Sequence, residues 1–157
     1  MTEEPAEFVI VAVDPGRNGG IVWNHAGQIH AVKMPANEFA TVELLNQIAG
    51  KSPLVELHLE QPSTGGWGKA GLSSIAKLFF GVGTVYGSGV AFGWKVNTVD
   101  PRKWQSALGL KRNKLGKTAW KNLLKHKAGE LYPDLPITLA TSDAVLIYHA
   151  AVNGLIY

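Results

Sequence analysis

Hydrophobic and polar positions divide this chain into short apolar runs and longer amphipathic stretches. Residues 8–13, Phe-Val-Ile-Val-Ala-Val, are apolar without a break, which predicts a strand buried on both faces. Asp14 stops the run and opens the turn Asp14-Pro-Gly-Arg-Asn-Gly-Gly20. Strands over 20–24 and 28–33 follow, joined by Asn24-His-Ala-Gly27, a sequence suited to a hairpin. Asn37 is placed to cap a helix running to Ala49, with Gly50 at its end. A strand over 54–60, Leu-Val-Glu-Leu-His-Leu-Glu, ends in another acid and is followed by Gln61-Pro62.

Residues 61–70 read as a glycine-rich loop holding Trp67. From Leu72 a long helix carries Gly81, Gly83, Gly87, Gly89 and Gly93. Glycines lower helix propensity. They are tolerated where another helix or backbone lies close, as at a dimer contact. The apolar stretch 78–94 is broken by glycine and polar positions and reads as a buried, glycine-faced helix rather than a membrane span. Strand 95–99 leads to Asp100-Pro101, and Pro101 suits the first turn of a short helix. A basic stretch, 111–127, runs through a loop into a helix ending at Tyr132-Pro133. The last helix starts near Thr141-Ser142 and ends near Asn153-Gly154. The order β-β-β-α-β-α-β-α-α-α predicts an α/β fold: a mixed five-stranded sheet with helices on both faces.

The 157 residues are read as a single domain over 1–157, with a flexible N-terminus over 1–7. With 46% apolar and 17% charged residues the chain is globular. It has no cysteine, which excludes disulfides and thiolate metal sites and fits a reducing compartment such as the cytoplasm. The polar, acidic start is no signal peptide. The net charge of +3 is unevenly spread. Residues 95–127 carry ten basic side chains and one acid, whereas the segments on either side are net acidic. Such a block is a phosphate-binding surface or a solvated helix face. Arg102, Lys103, Lys111, Arg112, Lys114, Lys117 and Lys121 are the candidate phosphate contacts, with Lys69 beside Trp67; Lys125 and Lys127 read as solvent charges. Trp104 and Trp120 sit in helical patterns as core residues.

Three acids carry the candidate chemistry. Asp14 and Glu60 end strands, and Asp143 begins the C-terminal helix. Each has an ordinary reading, as turn opener, solvated strand residue or first-turn acid. All three sit where a β/α fold presents ligands. Together they suggest a magnesium site, in which two ions activate water and stabilise the leaving oxygen of a phosphodiester. Gathering three carboxylates costs energy unless a cation is present, so the site is expected to depend on metal. The five histidines show no zinc-type pairing, and there is no G-x-x-x-x-G-K-[ST] motif. An actin-like nucleotide-binding reading of the first turn would need a second domain. No nucleotide cofactor is expected.

These motifs resemble the RuvC family of Holliday-junction resolvases, within the ribonuclease H-like superfamily, and most closely its small phage and organellar forms. The matching residues are Val11-Ala-Val-Asp-Pro-Gly16 with Gly19-Gly20, His58-Leu-Glu-Gln-Pro62, Gly66-Trp-Gly68, the glycine-ridged helix 79–93, Val99-Asp-Pro-Arg-Lys-Trp104, Lys117, Glu130-Leu-Tyr-Pro133 and Ser142-Asp-Ala-Val-Leu-Ile147. The resemblance implies a ribonuclease H-like fold and a homodimer that makes paired nicks in four-way DNA junctions with Mg²⁺, for which Mn²⁺ substitutes. Such an enzyme serves DNA recombination and repair. By position, Asp14, Glu60 and Asp143 match the family's metal-binding acids. Lys117 is similar to a basic residue near its active site, with Lys114 as competitor. Trp67 lies where family members contact the junction centre, and its ring suits stacking on an unpaired base. The family usually has a fourth acid three or four residues before the last; here those positions are Ala140 and Leu139. That departure keeps a non-catalytic junction binder in play. A ribonuclease acting on RNA–DNA hybrids is a further alternative on the same core.

Overall fold

The computed structural model describes residues 5–63 and 70–157. Strands β1 (Phe8–Asp14), β2 (Gly20–His25) and β3 (Gln28–Lys33) are followed by helix α1 (Glu38–Ala49) and strand β4 (Leu54–Glu60). Then come α2 (Leu72–Ala91), β5 (Lys95–Val99), α3 (Pro101–Ala107), α4 (Lys117–Leu131) and α5 (Ser142–Val152). The element order and the fold class are those read from the sequence. The five strands lie in the order β3-β2-β1-β4-β5. The β1-β2 and β2-β3 pairs are antiparallel, whereas β1-β4 and β4-β5 are parallel.

Strand periodicity sorts side chains between two cores. Val9, Val11 and Val13 of β1 pack with Val55, Leu57 and Leu59 of β4 against α1 and α2. Ala12 faces the other way, toward Trp104, Trp120, Leu124 and the apolar residues of α5. Asp14 is in phase with Ala12, and Glu60 with Glu56 and His58, so both acids face the α3–α5 side. Sequence reading allowed that face of β4 to be solvated. It is instead covered: His58 is buried and pairs with Glu56 at 3.0 Å. Glu56 also accepts from Lys95 and Asn97 of the neighbouring strand, which satisfies its charge.

One further expectation changes. Helix α2 is not buried. Only Val85 and Gly89 are enclosed, and a Cβ at Gly81, Gly83 or Gly87 would meet nothing within 4 Å. Gly89 alone in this helix has the close neighbours expected of its glycines: its bare backbone sits against Val96 and Leu57. Near the N-terminus, Glu7 is tied down. Its carboxylate accepts from the Ala26 N–H at 2.9 Å and pairs with His25, and its carbonyl accepts from the Ser52 hydroxyl. Among the described residues no helix is long and apolar enough to cross a membrane.

Candidate active site

The parallel register Val13↔Leu59 puts the next residues, Asp14 and Glu60, side by side at the C-terminal ends of adjacent strands. Parallel neighbours lie about 5 Å apart. Asp143 reaches the same place from the first turn of α5. Gly20 makes that approach possible. It is the pairing partner of Asp14, and a Cβ there would lie 2.9 Å from the Ala140 carbonyl oxygen and 3.1 Å from Thr141 Cα. The backbone leading into α5 therefore rests directly on β2. Gly19 is equally constrained, since a Cβ would fall 1.9 Å from the Asp14 carbonyl oxygen. The glycines after Asp14 thus seat protein backbone around the acid.

Asp14 and Asp143 are buried. Burial is the main force raising the Asp14 pKa well above the usual carboxylate range, and the charges of Glu60 and Asp143 add to it. Glu60 is pushed up to about 7, first by burial and then by Asp143, against the pull of a hydrogen bond from Trp104. That bond runs from Trp104 Nε1 to Glu60 Oε2 at 2.7 Å. Trp104 is fully buried, as expected of a core residue, and also touches the site. The sequence signal for this contact is faint: β5 lies beside β4 with Val99 opposite Glu60, so the helix after β5 starts next to that acid.

The cation among the acids is a lysine. Lys121 Nζ donates to Asp143 Oδ2 at 2.5 Å, while Ser142 Oγ donates to Oδ1 at 3.2 Å. Burial lowers the ammonium's pKa, but Asp143, Asp14 and Glu60 together outweigh it and the net shift is upward. Sequence reading gave the near-site role to Lys117 and put Lys121 with the DNA contacts. The structure reverses their surroundings. Lys117 is exposed and makes no ion pair among the described residues, whereas Lys121, one turn on, is paired with Asp143. Both lie on one helix face, so periodicity alone does not choose between them.

Oxygen donors of this kind suit a hard divalent cation. Among the described residues the buried side-chain nitrogen or oxygen left without a hydrogen-bond partner is Trp23 Nε1, away from these acids in sequence. No group of three or more His, Cys, Asp or Glu side chains among the described residues is placed to hold a metal ion. The carboxylate oxygens are of the type a divalent cation takes, and in this arrangement the positive charge beside Asp143 is the Lys121 ammonium. Asp134 and Leu139 are exposed.

Arg102, Lys103, Lys111, Arg112 and Lys114 are exposed; Arg102 is bound to Asp100 at 2.8 Å. Trp67 and Lys69 lie outside the described residues.

No protein-family model and no curated protein matches this chain in sequence. Solved structures do. Thermus thermophilus RuvC in complex with a Holliday junction substrate superposes with a TM-score of 0.56 at 14% identity, over 96% of this chain and 98% of that one. A second Thermus thermophilus RuvC structure gives a TM-score of 0.58 at 15% identity, over 95% and 98%. The fold is RuvC-like. At this identity the likeness supports the RuvC-like fold and not a phage or organellar subtype. Within it, the strand ends of β1 and β4 and the start of α5 meet on the α3–α5 side, which is where Asp14, Glu60 and Asp143 lie.

Proposed function

We propose that this protein is a metal-dependent, structure-selective endonuclease that resolves four-way DNA junctions. The observation that carries the reading is the meeting of Asp14, Glu60 and Asp143 around the Lys121 ammonium. The RuvC-like fold supports it, as does the Holliday junction substrate bound to one of the similar structures. Asp14, Glu60 and Asp143 would hold Mg²⁺, or Mn²⁺ in its place. A bound divalent ion supplies an acidified water and charge stabilisation at the phosphodiester. Trp104 orients Glu60, and Lys121 and Ser142 fix Asp143. Arg102, Lys103, Lys111, Arg112, Lys114 and Lys117 engage backbone phosphates, a contact that gives affinity without sequence preference. Trp67 and Lys69 are assigned to the junction centre.

A homodimer fits the exposed side of α2. Phe80 is 64% exposed and Val90 56%, and with Tyr86 they line the side that carries Gly83 and Gly87. Helical spacing places these residues together, opposite the buried Val85 and Gly89. Packing two copies through bare glycines brings two active sites to one junction, as paired nicks require.

Substrate comparison tests the reading. The protein is expected to nick a four-way junction and to leave linear duplex and RNA–DNA hybrid uncut; preference for the hybrid would favour a ribonuclease. Asp14→Asn is expected to bind the junction as the parent does and to lose cleavage. One observation favours a second reading, a junction binder without cleavage: Leu139 and Ala140 stand where a fourth acid is expected. A junction that is bound but never nicked, with either Mg²⁺ or Mn²⁺, would select it.

A further inference from the structure

We propose that the groove between α4 and the chain segment leading into α5 holds an unpaired nucleotide of a DNA strand. The inference rests on the branched-DNA reading above and names the part of the substrate that this surface takes.

Two contacts fix the course of that segment. Lys121 of α4 meets Asp143 at the start of α5, and Tyr132, just after α4, bonds to His149 near the end of α5. The two helices therefore run in the same direction, and residues 133–141 must return along α4 to begin α5. Pro133 and Pro136 stiffen the return. Thr138 and Thr141 pin it, each backbone N–H donating to the other's hydroxyl, at 3.1 and 3.2 Å. Between the return and α4 lies a groove of about 570 Å³. That is the size of small-ligand sites.

Its lining suits a base. Leu135 and Ile137, half-buried and packed on the core, give it an apolar floor. Gly129 borders the groove from α4, and a Cβ there would meet nothing within 4 Å, so the chain itself does not use the space. A glycine inside a helix costs stability. The room it leaves admits a flat ring. Asn122, which follows Lys121 in the chain, supplies an amide at one end of the groove. Such an amide pairs with a base edge.

Charge points to a nucleic-acid strand as the occupant. Lys125 stands on the rim, exposed and without an ion pair among the described residues. The acid of the rim, Glu130, is already paired with His126 at 3.3 Å and with Lys127 at 3.8 Å. The charge left open is therefore positive. Lys117, Lys121 and Lys125 recur every four residues, about 6 Å apart along α4. A strand whose phosphates follow this row sets a base over the apolar floor.

The test compares labelled oligothymidylate with the same strand carrying abasic sites. Binding is read by fluorescence anisotropy in chelator, so that cleavage plays no part. The parent is expected to bind oligothymidylate about tenfold more tightly than the abasic strand. Gly129→Leu fills the groove with a good helix former; it is expected to keep or raise Tm and to lose most of that preference. Gly129→Gln, polar and also helix-favouring, repeats the test should the leucine variant be unstable. Lys125→Ala is expected to lower the salt-dependence slope by about 0.7 and to keep the preference. A preference absent from the parent, or retained when the groove is filled, would overturn the inference and leave the groove to a protein segment. The nuclease reading would still stand on junction cleavage with Mg²⁺. A preference lost in Gly129→Leu, in a protein that never nicks a junction, would uphold the inference and overturn the nuclease reading.

Discussion

The indole N–H of Trp104 donates to Glu60 Oε2 across 2.7 Å, linking the buried anchor of α3 to an acid at the end of β4. Asp100 caps α3 through the Arg102 N–H, and Arg102 and Lys103 are exposed on the same short helix. One element therefore carries both proposed phosphate contacts and the donor that orients Glu60.

Trp104→Phe removes that donor while keeping an aromatic ring in the core. A hydrogen bond to a charged group is worth about 1.5–3 kcal/mol. Cleavage at saturating junction is expected to fall by about tenfold or more, with a higher Mg²⁺ requirement and unchanged junction affinity. Tm is expected to drop by a few degrees through the smaller ring. Titrating Mg²⁺ in a single-turnover assay checks this; a loss confined to Tm would reduce Trp104 to packing.

Glu60 makes the metal-free protein sensitive to pH. A carboxyl whose pKa is higher when folded holds its proton more tightly in the folded state. The resulting stabilisation is complete below the ordinary value of 4.5 and is gone above about 7. Asp14 shifts in the same direction for the same cause, burial beside other acids. Metal-free protein is thus expected to lose stability as pH rises from about 4.5 to 7, by a few kcal/mol at most. Mg²⁺ should restore it at the upper end. Calorimetry in chelator across that range is the check, and a flat Tm would contradict the account.

Asp14→Asn separates stability from function. Removing one of three mutually repelling buried charges is expected to raise the Tm of the metal-free protein and to abolish stabilisation by Mg²⁺. Thermal melts of parent and variant, each with and without Mg²⁺, measure both effects.

Gly20→Ala tests the seat of α5. Its Cβ would press on the Ala140 and Val32 carbonyl oxygens, both at 2.9 Å, so α5 must move away from β2. A destabilisation of about 1–3 kcal/mol is expected, together with weaker Mn²⁺ binding. Gly129→Ala is the control. It lies inside α4 with nothing near its Cβ, and is expected to gain about 0.5–1 kcal/mol.

Much of this was legible in the sequence because periodicity is local. The apolar run before Asp14, the alternation in β4 and the Asn37 cap each announce an element. Those strand ends and the start of α5 also mark Asp14, Glu60 and Asp143. What the sequence could not supply was contact between distant faces. Lys117 and Lys121 share a helix face, and only the packing of α4 on α5 selects Lys121. The Trp104–Glu60 bond depends on β5 lying beside β4. Helix α2 read as buried because its composition is that of an interior helix; within one chain, just its Val85–Gly89 side is covered.

The central claim is that Asp14, Glu60 and Asp143 form a cation site for cutting branched DNA. It is tested most directly by incubating the intact protein with a mobile-core four-way junction, with Mg²⁺ or with chelator. The account predicts paired, symmetric nicks in two strands with Mg²⁺ and none in chelator. Nicking that persists in chelator, or in Asp14→Asn, would contradict it.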